Sequence, residues 1–440
     1  MAAVLVQDGD VMRMMRHPDI HEDKVVFTFA NDLWLGSTEG GIARRLTTHP
    51  GAEYLAQFSP DGEHIAFTAS YDGNPDVYLI PAEGGEPERV TYQPGTDYMA
   101  AWTPDGDIAY TSTFQSALND TRLYIQDPDG SWPRTTPLYE VADLSFSPDG
   151  ETVAFNRARS HVFNWRRYRG GTQGVISFYN FEENEYWELP HERENQWFPM
   201  WVEDSVYFVS DRDFGTVNLF RSDMQGNNIE RLTNFDDADI RWPNTDGETI
   251  VWERNGYLET YDLDTGDVSR IDQRVVGDRI HTRPEFMNLA PYISTFSISP
   301  SGKRLAVEAR GEIFSLPATS GETRNLTDSP GSRERWVQWS PTGENIAYLS
   351  DETGEYKIYI EPQMGGDPEM LDTPDEHRIY SFAWSPDAES MVYRTTDGSA
   401  YLIDVESEET TFVYRNPRGF QAFTPSFSHD STWLAYIKNE

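Results

Sequence analysis

Six basic side chains crowd one short stretch of this chain: Arg157, Arg159, His161, Arg166, Arg167 and Arg169, with no acid among them. The chain as a whole carries a formal charge of −39, so an uninterrupted basic run needs a physical reason. The forked donors of a guanidinium match a carboxylate in two parallel hydrogen bonds. One chemistry open to this run is therefore capture or steering of a peptide's C-terminal carboxylate, with Arg166, Arg167 and Arg169 as the candidate binding residues. Trp165 and Tyr168 are interleaved with the arginines. That pattern equally suits a loop docked by ion pairs and aromatic anchors onto another domain or subunit. Gly170-Gly171 fits a tight return of such a loop better than a phosphate cradle.

Other reactive patterns are weak. The nine histidines are scattered, with no His-Glu-x-x-His and no pair at metal-ligand spacing. Asp236-Asp237-Ala238-Asp239 has the residue types of a calcium loop, but in so acidic a chain it reads as a solvated loop. No Gly-x-Ser-x-Gly elbow or phosphate-binding loop occurs. No catalytic residue, metal site or cofactor is assigned.

Composition narrows the partners. Of the 35 basic residues, only Lys24, Lys303, Lys357 and Lys438 are lysines, against 74 acids. An acidic, lysine-poor shell suits a high-salt cytoplasm, where screening shortens to roughly 3 Å at 1 M salt. A GC-rich genome that favours arginine codons gives the same lysine deficit. Nucleic acid is excluded as a partner, since a polyanion is repelled by such a surface. Cysteine is absent, so disulfides and thiolate metal sites are excluded. The first ten residues already carry acids and lack a signal-peptide core, and no stretch approaches about 18 apolar residues. The expectation is a cytoplasmic protein without a membrane partner.

The elements that must position any site are set by a repeat. Ser59-Pro60-Asp61-Gly62 returns as Thr103-Pro104-Asp105-Gly106 and Ser147-Pro148-Asp149-Gly150. Weaker copies are Asn244-Thr245-Asp246-Gly247, Ser299-Pro300-Ser301-Gly302, Ser340-Pro341-Thr342-Gly343, Ser385-Pro386-Asp387-Ala388 and Ser428-His429-Asp430-Ser431, with Val202-Glu203-Asp204-Ser205 in the same slot. Successive starts lie 41 to 45 residues apart, apart from two 55-residue gaps. Serine, proline and glycine at these positions are type I turn preferences. An aromatic or apolar residue precedes nearly every copy, and short β-rich runs such as Ile65-Ala66-Phe67 and Val77-Tyr78-Leu79-Ile80 follow. Four short strands per 40 to 45 residues is the pattern of a propeller blade.

The long gaps break the period informatively. The first holds an insertion, roughly 157–174, inside one blade; the second, 275–292, lies between blades and reads as a linker. The expected organisation is all-β. An N-terminal extension (1–16) precedes a six-bladed β-propeller (17–275), a linker (276–292) and the first three and a half blades of a second β-propeller (293–440). Three and a half blades leave an unprotected edge strand, so the second propeller is expected to be incomplete and the chain to be a piece of a longer one.

Three stretches carry a family likeness. They are His17-Pro18-Asp19-Ile20-His21-Glu22-Asp23-Lys24 running into Asn31-Asp32-Leu33-Trp34, the insertion Asn164-Trp165-Arg166-Arg167-Tyr168-Arg169-Gly170-Gly171-Thr172-Gln173-Gly174, and Asp211-Arg212-Asp213-Phe214-Gly215. Together and in this order they resemble the start of tricorn proteases, over the whole chain but less than half of a family member's length. The resemblance implies a six-bladed propeller, then one of seven-bladed type, then a PDZ domain flanked by catalytic domains. It further implies a serine peptidase that degrades oligopeptides downstream of the proteasome and assembles as a homo-hexamer. In that scheme these residues form the non-catalytic half, which channels substrate and product. One departure weakens the carry-over: the family's loop arginine pair, tied to short-product release, should fall in Tyr92-Gln93-Pro94-Gly95-Thr96-Asp97-Tyr98, which has no arginine. Either Arg166-Arg167 substitutes or product length differs. The alternatives are a stand-alone propeller that binds or links other proteins, which in the exported kind needs a signal, or the propeller of a prolyl-oligopeptidase-like protein, which needs an α/β-hydrolase domain.

Overall fold

The computed structural model describes residues 11–437 apart from 117–119, 131, 158–168, 172, 213–214, 277–285, 375–377 and 417–424. Among the described residues no α-helix is found, and nearly all ordered backbone lies in sheets of four antiparallel strands, one of them extended by a fifth strand. Blade 1 consists of Arg16–His21, Lys24–Phe29, Asp32–Ser37 and Gly41–Arg45, hydrogen-bonded in that order from the inside outwards. Blades 2 to 6 follow the same plan, with inner strands Glu53–Phe58, Asp97–Trp102, Leu144–Phe146, Gln196–Val202 and Arg241–Thr245.

Each blade is sandwiched between two others, which explains the sequence of its second strand. In His64–Ala69 and Thr152–Asn156 nearly every residue is buried, so the apolar run is continuous and does not alternate. The outer strands of blades 2 and 5 shrink to two residues, Glu88–Arg89 and Glu230–Arg231, which limits the free edge. Apolar clusters form between consecutive blades. Val26 and Leu33 of blade 1 pack with Phe58 and Phe67 of blade 2, and Phe178 of blade 4 packs with Phe208 and Phe220 of blade 5. The last such cluster joins Val251, Leu258 and Ile271 of blade 6 to Val25, Phe27 and Trp34 of blade 1, so the ring of six closes.

Closure has a second device. After blade 6 the chain returns as Gln273–Val275 and pairs in parallel with Gly41–Arg45, giving blade 1 a fifth strand. The Gln273 amide donates to the Ser37 carbonyl at 2.6 Å. Gly36 leaves room for it, since a Cβ there would lie 2.5 Å from that amide.

The turn tetrad explains itself in hydrogen bonds. Gly62 N donates to Ser59 O at 2.8 Å, and Gly62 has φ +71°. Ser59 Oγ donates to Asp61 Oδ1 at 2.6 Å and accepts from His64 N at 3.0 Å. Ser147 and Ser385 repeat the arrangement. The serine thus ties the turn to the next strand, and the aspartate orients it.

The chain divides into two compact units, Val6–Asp278 and Arg279–Glu440. The second holds blades with inner strands Ile293–Ile298, Glu334–Trp339 and Ile379–Trp384, then the paired strands Ser426–Phe427 and Leu434–Ala435. Its blades pack by the same rule, with Ala306 and Ile313 against Val337 and Tyr348, and Ile358 against Phe382 and Tyr393. This is an all-β fold of a six-bladed β-propeller followed by an incomplete second β-propeller.

Candidate functional site: the axial channel of the six-bladed ring

Several inner strands of the ring carry an extra residue. The ladder register shifts between Arg16 and Asp19, Tyr54 and Gln57, Trp197 and Met200, and Arg241 and Asn244. In each of these bulges one non-glycine residue sits in the left-handed region: His17 (φ +47°), Leu55 (+55°), Phe198 (+53°) and Trp242 (+47°). Such backbone costs about 1–3 kcal/mol per residue and persists where the surroundings impose it. A bulge re-aims a side chain out of the regular alternation. All four of these residues line the same space on the ring axis.

That space is a chamber of about 420 Å³ at the end where the inner strands begin. Five aromatic rings surround it: His17, Tyr54, Tyr98, Phe198 and Trp242. The His17 ring centroid lies 4.3 Å from that of Trp242 and 6.2 Å from Tyr54, and Tyr54 lies 6.3 Å from Tyr98. Burial, reinforced by the neighbouring Arg16 charge, pushes the His17 imidazole down to about 3. The ring is therefore neutral at physiological pH, and its buried Nδ1 has no hydrogen-bond partner among the described residues.

A second chamber, about 560 Å³, opens at the other end, among the turn tetrads. Glu22, Asp246 and Glu248 give it a carboxylate-rich rim, and the buried Asp19 also lines it. Burial pushes the Asp19 carboxyl up to about 8, although Phe58 N donates to its Oδ2 at 2.7 Å. The two chambers share Gln57, Leu144, Pro199 and Asn244, which form a waist. The amides there are tethered: Gln57 Nε2 donates to Ala100 O at 3.0 Å, and Asn244 Nδ2 donates to Pro18 O at 2.8 Å. Neither chamber has a lysine or arginine among its described lining residues.

Of the arginines singled out in the sequence, the structure describes Arg157 and Arg169. Arg166 and Arg167, with most of the insertion, fall outside the described residues. Arg169 is described: its Nη1 pairs at 2.9 Å with Oδ2 of the buried Asp211, which also accepts from Asn195 N and Nδ2. Arg157 pairs with Glu140 at 2.6 Å. In the connection 92–98, the Gln93 amide donates to the Tyr110 hydroxyl at 2.8 Å. Just upstream, Arg89 pairs with the buried Asp76 at 2.7 Å and stacks over Tyr92.

In the acidic run 236–239, Asp237 pairs with Arg254 at 2.7 Å and Asp239 accepts from Val217 N at 2.8 Å. Among the described residues no three His, Asp or Glu side chains are placed to hold a metal, and no helix is long and apolar enough to cross a membrane. Sequence reasoning missed the aromatic chamber. The available signal was Tyr54 and Tyr98, each five residues before a turn tetrad, but in a blade that position reads as ordinary packing.

Comparison with known proteins follows the same outline. Residues 12–267 match the family model of the tricorn protease N-terminal beta propeller domain. Tricorn protease homolog 1 of Streptomyces coelicolor is 30% identical, over 96% of this chain and 40% of that protein. The tricorn protease of Thermoplasma volcanium is 25% identical, over 79% of this chain and 35% of its own length. Among solved structures, the crystal structure of the tricorn protease aligns with a TM-score of 0.63 over 96% of this chain and 41% of that one. At 23% identity, that likeness speaks for the fold. The chain spans about two fifths of the length of these relatives. On the family model, matched over more than half of its residues, the chain belongs to the tricorn protease family.

Proposed function

We propose that this chain is the non-catalytic propeller portion of a tricorn-type serine peptidase that degrades oligopeptides downstream of the proteasome. In this reading residues 17–275 form the six-bladed propeller, 276–292 a linker and 293–440 the start of a second, seven-bladed type. The observation that carries it is a two-chambered channel on the axis of a ring whose sequence matches a peptidase family. Lining that is aromatic at one end and carboxylate-rich at the other, with tethered amides between, suits passage of peptide backbone better than chemistry on it. Arg166 and Arg167 are the proposed binding pair for a peptide carboxylate. Arg169 belongs to the same run, and its ion pair with Asp211 supports anchoring the loop beside the ring. The parent protein is a cytoplasmic homo-oligomer, a hexamer by family likeness, and its acidic surface suits high salt.

Fluorogenic tri- and tetrapeptide amides test the reading. The folded 440-residue chain binds them without releasing fluorophore at any salt concentration. Turnover that survives repurification overturns the assignment of a non-catalytic portion.

A further inference from the structure

The aromatic chamber and the carboxylate rim lie a defined distance apart. His17 and Glu22 stand five residues apart along blade 1, and Trp242 and Asp246 four residues apart along blade 6. At about 3.3 Å per residue that separation is roughly 13–17 Å, the reach of a four- or five-residue extended peptide. The chamber of about 420 Å³ is large enough for one aromatic side chain with its backbone. Its rings are uncharged, since His17 is neutral, and the strained bulges at His17, Phe198 and Trp242 hold them there.

Charge fixes the direction. Among the described lining residues of the two chambers five are acidic (Asp19, which burial keeps protonated, with Glu22, Asp143, Asp246 and Glu248) and none is an arginine or lysine. A peptide's C-terminal carboxylate meets no cation among these described lining residues, whereas its N-terminal ammonium meets Glu22, Asp246 and Glu248 at the rim. Attraction of this kind is strongest where water is partly excluded.

We propose that the His17, Tyr54, Tyr98, Phe198 and Trp242 collar is a subsite for an aromatic side chain near the fourth residue of a peptide whose free amino terminus sits at the carboxylate rim. This rests on the reading of the channel as a peptide path. It adds a ligand class, aromatic peptides with an unblocked amino terminus, and an orientation.

The test is calorimetric titration of the full 440-residue chain at the lowest KCl concentration that leaves its melting transition unchanged. The probes are Ala-Ala-Ala-Phe amide, Ala-Ala-Ala-Ala amide and N-acetyl-Ala-Ala-Ala-Phe amide. Stacking an aromatic ring in such a site is worth about tenfold in affinity, so the phenylalanine peptide binds about tenfold tighter than tetraalanine. Acetylation weakens it at least threefold. Tyr98→Ala brings the phenylalanine peptide down to the affinity of tetraalanine measured on the same variant, and Tyr98→Phe restores the preference. The three-peptide comparison on the unaltered chain needs no variant to fold. Equal affinity for the phenylalanine and alanine peptides overturns the collar subsite alone. Failure of all three peptides to bind overturns it together with the channel reading.

Discussion

Glu53→Gln separates a buried, structural carboxylate from the acidic surface around it. Glu53 begins the inner strand of blade 2 and is fully buried. Its Oε1 accepts from the Tyr71 hydroxyl at 2.7 Å, and its Oε2 accepts from Leu33 N at 3.2 Å and from the Thr47 hydroxyl. Leu33 and Thr47 belong to blade 1, so this one side chain ties two blades. Burial outweighs those donors and pushes the carboxyl from 4.5 up to about 7. Because the folded-state value is raised, the folded chain keeps a proton that the unfolded chain releases above about 4.5. The contribution is full below that pH and is lost as the pH rises to about 7. The loss amounts to about 3 kcal/mol.

Glutamine cannot titrate, and its amide nitrogen faces a donor where Glu53 offered an acceptor, a penalty of about 1–2 kcal/mol. The variant is therefore less stable than the parent by up to about 1 kcal/mol at pH 5 and more stable by about 1–2 kcal/mol at pH 8. At 2–4 °C per kcal/mol for a unit of this size, the difference in melting temperature changes sign between the two. Thermal melts by tryptophan fluorescence in molar KCl measure it. A stability difference that stays constant from pH 5 to pH 8 refutes the reasoning.

Three further outcomes follow from the same structure. Gly62→Ala costs more than Gly106→Ala: both glycines have positive φ, but a Cβ at Gly62 lies 2.2 Å from the His21 ring while one at Gly106 meets nothing within 4 Å. The expected penalties are about 2 and about 1 kcal/mol, and equal melting temperatures contradict the contact. Gln273→Ala removes the buried amide that binds the returning strand to blade 1, with a fall of about 2 kcal/mol and faster proteolysis of the 273–275 region; an unchanged melt rejects a role in closure. With a charge of −39, the melting temperature rises with KCl up to molar concentrations as carboxylate repulsion is screened, and a flat or falling curve removes the high-salt argument.

The blades were legible because each repeats its own local chemistry. The tetrad serine, aspartate and glycine write a turn that Ser59, Asp61 and Gly62 make in hydrogen bonds, and the run after it is buried on both faces. What lacks repetition was not legible. Gln273–Val275 closes the ring with three residues that bear no strand signature of their own. The bulges at His17, Phe198 and Trp242 depend on packing around the axis, so the aromatic collar looked like blade core. The acids were a further blind spot: among 74 of them, Glu53 and Asp211 are fully buried ties between backbone and side chains, indistinguishable by composition from the surface shell. The arginine run stood out by charge alone, and of its members Arg157 and Arg169 are each engaged by a carboxylate.

The most direct test of the central claim, a closed ring whose axis takes peptides without cleaving them, is photo-crosslinking of a benzophenone-bearing hexapeptide followed by mass spectrometry. The account predicts uncleaved peptide attached to residues of the six inner strands, around Tyr54, Tyr98 and Trp242 and the waist at Gln57 and Asn244. Cleaved peptide, or adducts confined to the outer strands of the blades, contradicts it.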